Sequence, residues 1–363
     1  MVRLPKRLHL LTFLRFVAAG WVLCFHLQWR GPLVQSEPLL TIIYNGYHAM
    51  SFFFVLSGAV LAYGYADLVL AERPVRQFYL ARLARIYPAY LAVNLLSLPL
   101  QDNLWTKDQI FTNLASLLGI QSWFTDTFFM GINGGSWSIS CEFFFYALFP
   151  ALLPVAVWLT RHYLALRVAM ICTLFAGFLG LAGYAFGDRT FPEYYISPLL
   201  RLPEFMLGLI VGTALRQAPS GEIMPRWKVL LAGGAVLLVN AVWSFGPPLW
   251  MTANLLVLPA LAGLIYTAGR HEITAPRREL GRMGRLADYL GESSYSFFLA
   301  QLPILLWLDS KHLHFNAYTM VAVAGATLLG GIALHELVEK PARRFMLNRI
   351  TPGGTTTPAV SPP

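Results

Sequence analysis

Apolar stretches long enough to cross a lipid bilayer recur along almost the whole chain, at roughly 8–29, 41–66, 84–100, 136–158, 164–186, 196–215, 228–245, 249–268, 288–308 and 317–338. A helix needs about 20 mostly apolar residues to cross the hydrocarbon core. Inside that core each main-chain amide and carbonyl must find its partner within the protein, which a helix provides along its own length. The chain therefore reads as all-α, a polytopic integral membrane helix bundle of about ten transmembrane helices. Composition agrees: 12% of residues are charged and the mean hydropathy is +0.56, against roughly 25% charged in a soluble domain. Segment 109–124 is moderately apolar but carries Asn113 and Gln121. It reads as a short interfacial or re-entrant piece, since counting it as a span would invert everything downstream.

The basic residues orient these helices, because loops on the cytoplasmic side collect Lys and Arg. With both ends on one side, that side receives the N-terminal basic residues, Arg73, Arg76, Arg82, Arg85, Arg161 and Arg167. It also receives Arg216, Arg226, Lys228, the cluster from Arg270 to Arg285, and Lys340, Arg343, Arg344 and Arg349. The other side holds Arg30, Lys107, Arg189 and Lys311. The expectation is a multi-pass protein of the cell's inner (plasma) membrane with both termini cytoplasmic. The net charge of +9 is then the footprint of orientation and anionic lipid contact, not of nucleic-acid binding.

Residues 1–349 read as one membrane domain and 350–363 as a cytoplasmic tail. The tail is rich in Thr, Pro and Gly from Thr351 to Pro363, too polar to bury a core, and is expected to be disordered. The first helix has no small-residue cleavage site and is expected to be retained. Cys24, Cys141 and Cys172 all fall in spans without metal-ligand spacing, so neither a disulfide framework nor a metal site is suggested. No internal repeat is visible.

Chemistry must then come from polar side chains at membrane depth. An Arg, Lys or Asp at the centre of a membrane helix costs about 2.5–3.5 kcal/mol on insertion scales, so such groups usually face a polar interior. Arg15 and His26 sit inside the first stretch. Eleven residues of helix are about three turns, which puts the two on nearly the same face roughly 16 Å apart. Glu142 lies about two turns into the helix opened by Gly134-Gly135. Arg201 and Glu204, three residues apart, form a candidate ion pair on one helical face. Ser57, Trp137, Ser138, Tyr295 and Glu339 complete the polar candidates. Trp137, Tyr146 and Tyr295 read equally well as interfacial aromatics, and Glu339, beside Lys340 and Arg343, as a surface ion pair.

Arg82 and Arg85 differ in kind. They share a face at the mouth of the third helix, where guanidinium forks suit phosphate, although positive-inside anchoring explains their charge as well. With no glycine-rich phosphate loop in the chain, an anionic ligand there would be held by side chains.

Taken together these motifs resemble the acyltransferase 3 family, bacterial polytopic membrane O-acyltransferases of sugars and exported glycans. The resemblance runs from Leu10 to Arg344. It rests on Arg15-x10-His26, Phe52-Phe-Phe-Val-Leu-Ser-Gly58, Arg82-x-x-Arg85-Ile-Tyr-Pro88 and Trp137-Ser-Ile-Ser-Cys-Glu142 with Phe145 to Pro150. Arg201 to Gly208, Gly291-Glu-Ser-Ser-Tyr-Ser296 and Glu339-Lys-Pro341 extend it. The resemblance implies a ten-helix bundle with an extra interfacial segment and an acyl-CoA donor, commonly acetyl-CoA, approaching from the cytoplasm. It implies that Arg82 and Arg85 bind the donor, that His26 is the catalytic residue with Arg15 as partner, and that Glu142 is the acid of the Trp-Ser motif. Where the family often shows a second His after Ser-Tyr-Ser, this chain has Gln301, which places the acid–base chemistry on His26.

Acyl transfer to a hydroxyl needs a base for the alcohol proton and groups that steady the oxyanion. His26 is the expected base, oriented by Glu142, or a transient acyl carrier. The acceptor is expected to be a carbohydrate or glycosylated molecule. Trp105, Trp123 and Phe124 of the loop between Gln101 and Asn133 are available to stack on sugar rings or to anchor at the membrane interface. Two other classes fit intramembrane Arg, Glu and His: a secondary transporter, which usually carries internal repeats, and a non-catalytic lipid-binding or sensory protein.

Overall fold

The computed structural model describes residues 8–31, 33–70, 75–100, 106–124, 131–162, 164–186, 195–218, 222–242, 253–275, 280–311 and 315–350. Among them all regular structure is helical. The order is α1 (His9–Gln28), the short α2 (Leu39–Tyr44), α3 (His48–Leu70), α4 (Val75–Ser97), α5 (Lys107–Leu118), α6 (Trp137–Arg161) and α7 (Ala165–Phe186). There follow α8 (Pro198–Gln217), α9 (Arg226–Val242), α10 (Asn254–Thr274), α11 (Arg282–Asp309), α12 (Ala317–Leu334), a π-helical turn His335–Glu339, and α13 (Lys340–Ile350).

Over the described residues each expected apolar stretch falls on a helix. Within the described residues six helical runs are long and apolar enough to cross a membrane: His9–Gln28, Leu39–Tyr65, Val75–Leu100, Gly134–Arg161, Pro198–Gln217 and Ala317–Arg349. α7, α9, α10 and α11 occupy the other four positions. α11 opens with Arg282, Arg285, Asp288 and Glu292, and α10 ends in Arg270-His-Glu272, which dilutes their apolar character. The expected tail and Trp105 lie outside the described residues.

α5 bears out the short, non-spanning reading of its segment. At 12 residues it is about 18 Å long, too short to cross the bilayer core. Its polarity is inside out: Gln109, Thr112, Asn113 and Ser116 are buried, while Phe111, Leu114 and Leu118 face outward. Thr106 caps its first turn by accepting from the Gln109 amide, and Gly119 ends it in the left-handed region at φ 71°. The hydroxyls of Tyr87 and Tyr90 on α4 hold the carbonyls of Leu117 and Ser116.

Two tight helix pairs set the frame. α3 and α8 run parallel, with Val55 against Gly208 and Ala59 against Gly212. A Cβ at either glycine would collide with a carbonyl of α3, so the Gly208-x3-Gly212 spacing is what lets the backbones approach. α1 and α11 also run parallel. Gly291 abuts the Thr12 carbonyl, Phe16 packs on Phe297 with ring centroids 5.2 Å apart, and the Gln301 amide donates to the Ala19 carbonyl at 2.8 Å. Their starts are tied by His9 to Asp288 at 2.8 Å, and Glu272 of α10 accepts from the Leu11 amide in the first turn of α1. Their far ends are clamped by Arg30, which holds Asp309 at 2.7–3.0 Å.

Candidate functional site

Five helices bring polar side chains to one cavity: Arg15 of α1, Ser57 of α3, Arg82 and Arg85 of α4, Ser138, Glu142 and Tyr146 of α6, and Ser294 and Tyr295 of α11. Its walls are apolar, with Phe53, Phe54, Leu61, Ile86, Ile139 and Phe298 among them. Residues scattered over 280 positions of sequence thus meet because α3 and α6 descend side by side while α1 and α11 rise together.

The cavity is an arginine cluster. Glu142 accepts from the Tyr146 hydroxyl at 2.8 Å and lies within electrostatic range of Arg15, Arg82 and Arg85. Arg82 donates to the Tyr65 hydroxyl at 2.6 Å and lies over that ring at 4.8 Å, while its Nε has no partner among the described residues. Arg85 stands 4.0 Å from Glu339. Arg343 of α13 approaches closely enough to interact with Arg85, Arg82 and Glu339. Four guanidinium groups therefore face two carboxylates, and the surplus positive charge fits a polyanion such as a phosphate-bearing ligand.

Glu339 is not a surface residue. It is 1% exposed, and its carboxylate accepts from His335 Nδ1 at 2.8 Å and Ser296 Oγ at 2.7 Å. The surface pair expected there forms instead between Lys340 and Glu336, because the π-helical turn rotates Glu339 inward. Trp137, Tyr146 and Tyr295 are likewise not interfacial. Tyr295 donates to the Ile86 carbonyl at 2.9 Å, and Trp137 is buried against Phe54 and Tyr195.

Arg201 and Glu204 form the expected pair at 2.6 Å, 2% and 1% exposed. Arg201 also donates to the Tyr195 carbonyl at 2.7 Å and lies over the rings of Tyr195 and Trp137, while Ser51 donates to Glu204 at 3.1 Å. Neither lines the cavity. The pair ties α8 to α3 through Ser51 and to the start of α6 through Trp137.

His26 lies apart from the cluster, three turns along α1 from Arg15 and outside the cavity lining. Its Nδ1 is buried with no partner among the described residues. Its polar neighbours are Gln301 and Arg30, and Arg30 also donates to the His26 carbonyl at 3.1 Å. The expected contact with Glu142 is therefore replaced. Glu142 belongs to the arginines, and Gln301, standing where a second His was expected, is the side chain beside the imidazole.

The stretch before α6 is built as a scaffold. Gln121 donates to the Ser136 carbonyl at 2.8 Å, Ser122 to the Trp137 carbonyl at 2.6 Å and Asn133 to the Leu299 carbonyl at 3.1 Å. Trp123 packs on Phe144 and Phe124 on Phe111, so both are half-committed to packing. The sequence reading missed Tyr65, His335, Ser294, Ser296 and Arg343. The four-residue spacing of His335 and Glu339 signalled their pairing, whereas nothing near Arg343 distinguishes it from an ordinary flanking charge.

A family model described as an acyltransferase domain matches residues 8–336. The chain is similar to the acyltransferase MdmB of Streptomyces mycarofaciens, 29% identical over 381 aligned residues covering 96% of this chain and 94% of that protein. It is also similar to an uncharacterized protein of Haemophilus influenzae, 26% identical over 62% of this chain and the whole of that protein. No solved structure matches.

Proposed function

Because this chain belongs to the acyltransferase 3 family and is a membrane acyltransferase, we propose that it moves an acyl group, commonly acetyl, from acyl-CoA to a hydroxyl of a glycan or glycosylated acceptor. The observation that carries this reading is the separation of two sites along one helix. The arginine cluster around Arg15 and the imidazole of His26, whose Nδ1 has no partner among the described residues, are about three turns, roughly 16 Å, apart. Coenzyme A has that form, with phosphates at one end and a thioester at the other end of a long flexible arm. Arg82, Arg85, Arg343 and Arg15 hold the phosphate end, and Glu142 and Glu339 keep the guanidinium groups spread and oriented. The basic residues gather at the end of the bundle where Arg82 and Arg85 open the cavity, which supports donor entry from the cytoplasm of a protein in the inner membrane with both termini cytoplasmic.

The chemistry is then assigned to His26. The imidazole takes the acceptor hydroxyl proton as the oxygen attacks the thioester carbonyl, an O–C bond forms and the C–S bond breaks. The departing thiolate of coenzyme A recovers the proton from the imidazolium. In the carrier variant, His26 itself attacks, the N–C bond forms as the C–S bond breaks and the ring proton leaves with the thiol, and the acceptor oxygen then takes the acyl group as the N–C bond breaks and the hydroxyl proton returns to the ring. Gln301, the side chain beside the ring, positions it in either case, and its Oε1 can accept a hydrogen bond from the imidazole N–H or the acceptor hydroxyl.

The test is transfer of labelled acetyl from acetyl-CoA into glycan-containing material in inverted membrane vesicles, comparing wild type with His26→Ala at matched expression. Label that appears with the wild type and vanishes with the variant is the expected result. Full transfer by His26→Ala would overturn both versions of the mechanism.

A further inference from the structure

Two buried apolar clusters divide the bundle. The larger is built mainly on α3, α4, α6, α8 and α10 and takes in Leu11, Ala18 and Val22 of α1. The smaller gathers Ala19, Leu23 and Leu27 of α1 with residues of α11 and α12. Among the described residues, Phe53 and Phe298 are the two partly buried side chains that pack against both clusters. Their rings pack together at a tilt of 55°, with centroids 5.9 Å apart. Both line the arginine cavity, whereas His26 does not.

The helix registers place this pair between the two halves of the site. On α11, Tyr295 is in the cavity, Phe298 follows one turn later, and Gln301, beside His26, one turn later again. On α3, which starts near the far end of α1, Phe53 precedes Ser57 by one turn. A molecule held by the arginines must therefore bring its reactive end past Phe53 and Phe298 to reach the imidazole.

We propose that Phe53 and Phe298 form the aromatic filter that sets which acyl groups reach His26, admitting short, unbranched ones and excluding longer ones. The inference rests on the acyl-CoA reading above. Both rings are held by packing on two clusters rather than by a polar partner, so the constriction that the contacting pair forms is defined by side-chain size. One methylene more or less in such an apolar site discriminates by about 10–200-fold.

The experiment compares label from acetyl-CoA and butyryl-CoA in the vesicle assay for wild type, Phe298→Ala, Phe53→Ala and the milder Phe298→Leu. The readout is the ratio of butyryl to acetyl transfer, which does not depend on how much folded variant is present. Wild type is expected to favour acetyl by tenfold or more, and the ratio to rise at least tenfold in one of the Ala variants and more modestly in Phe298→Leu. A wild type that uses both donors equally, or variants that keep the wild-type ratio, would overturn the filter while leaving the acyl-CoA reading standing. Wild type that transfers neither group would overturn the acyl-CoA reading and the filter with it.

Discussion

His335 donates through Nδ1 to Oε2 of Glu339 at 2.8 Å, across a single π-helical turn. Ser296 of α11 donates to the same oxygen, so Oε1 is the oxygen turned toward Arg85. A π-turn is uncommon and often marks a functional position. Here it carries a carboxylate off the lipid-facing side of the helix and into the arginine cluster. On the proposed acyl-CoA reading, Glu339 acts through Arg85, 4.0 Å away, as a positioning residue. Glu339→Gln is expected to raise the KM for acyl-CoA about tenfold, an effect of about 1.4 kcal/mol, with kcat little changed. His335→Ala should do the same more weakly. A fall in kcat at constant KM would instead put Glu339 in the chemistry.

Glu142 and Tyr146 separate by magnitude. Tyr146→Phe removes one hydrogen bond to a charged carboxylate that still faces three arginines, a loss of about 1.5–3 kcal/mol, and kcat/KM should fall tenfold or somewhat more, less than in Glu142→Gln. Glu142→Gln removes the charge around which Arg15, Arg82 and Arg85 are arranged. Truncating one partner of a buried charge pair costs about 2–5 kcal/mol, so the fall should be thirtyfold or more. Initial rates at matched expression decide between them, and equal losses would mean that the Tyr146 hydroxyl itself contacts the substrate.

Much of this site was legible because membrane depth makes polarity conspicuous. Arg15, Ser57, Arg82, Arg85, Ser138, Glu142 and Tyr295 stand out against apolar neighbours, and all line one cavity. The Arg201–Glu204 pair followed from three-residue helical spacing. What sequence could not supply was which polar groups meet across helices. Glu142 and His26 read as partners because the family resemblance assigns both to one chemistry, yet the parallel α1 and α11 put Gln301 beside the imidazole and leave Glu142 with the arginines. Glu339 reads both as a polar candidate and as a surface ion pair, because Lys340 and Arg343 flank it at a helix end, and sequence does not show the π-turn that carries it inward. Phe53 and Phe298 are lost among 25 phenylalanines, since their role depends on lying between two clusters.

The Arg201–Glu204 pair should matter for folding more than for turnover. Removing one member of a buried ion pair leaves the other uncompensated and costs about 3–5 kcal/mol, whereas replacing both with apolar residues of similar volume is often tolerated. Arg201→Met alone should therefore melt well below wild type in detergent. Arg201→Met combined with Glu204→Leu should recover most of the loss. A double variant as unstable as the single would show that the Arg201 contacts to the Tyr195 carbonyl and to the two rings, rather than the charge pair, hold α8 in place.

Gly208 offers a test that links packing to the site. A Cβ there meets the Val55 carbonyl, while Gly234 on α9 has open space around its Cα. Gly234→Ala should be neutral or stabilising by up to about 1 kcal/mol, the helix-propensity difference between the two residues. Gly208→Val must push α3 away from α8, because a main-chain carbonyl cannot turn aside as a flexible side chain can. α3 also carries Phe53 and Ser57 into the cavity wall, so its displacement opens the site on the side facing Glu142. Gly208→Val is therefore expected to lose acyl transfer and to lower the melting temperature together, and Gly208→Ala to show a smaller loss of both. Unchanged transfer by Gly208→Val would mean that α3 and α8 do not need their close approach to build the cavity.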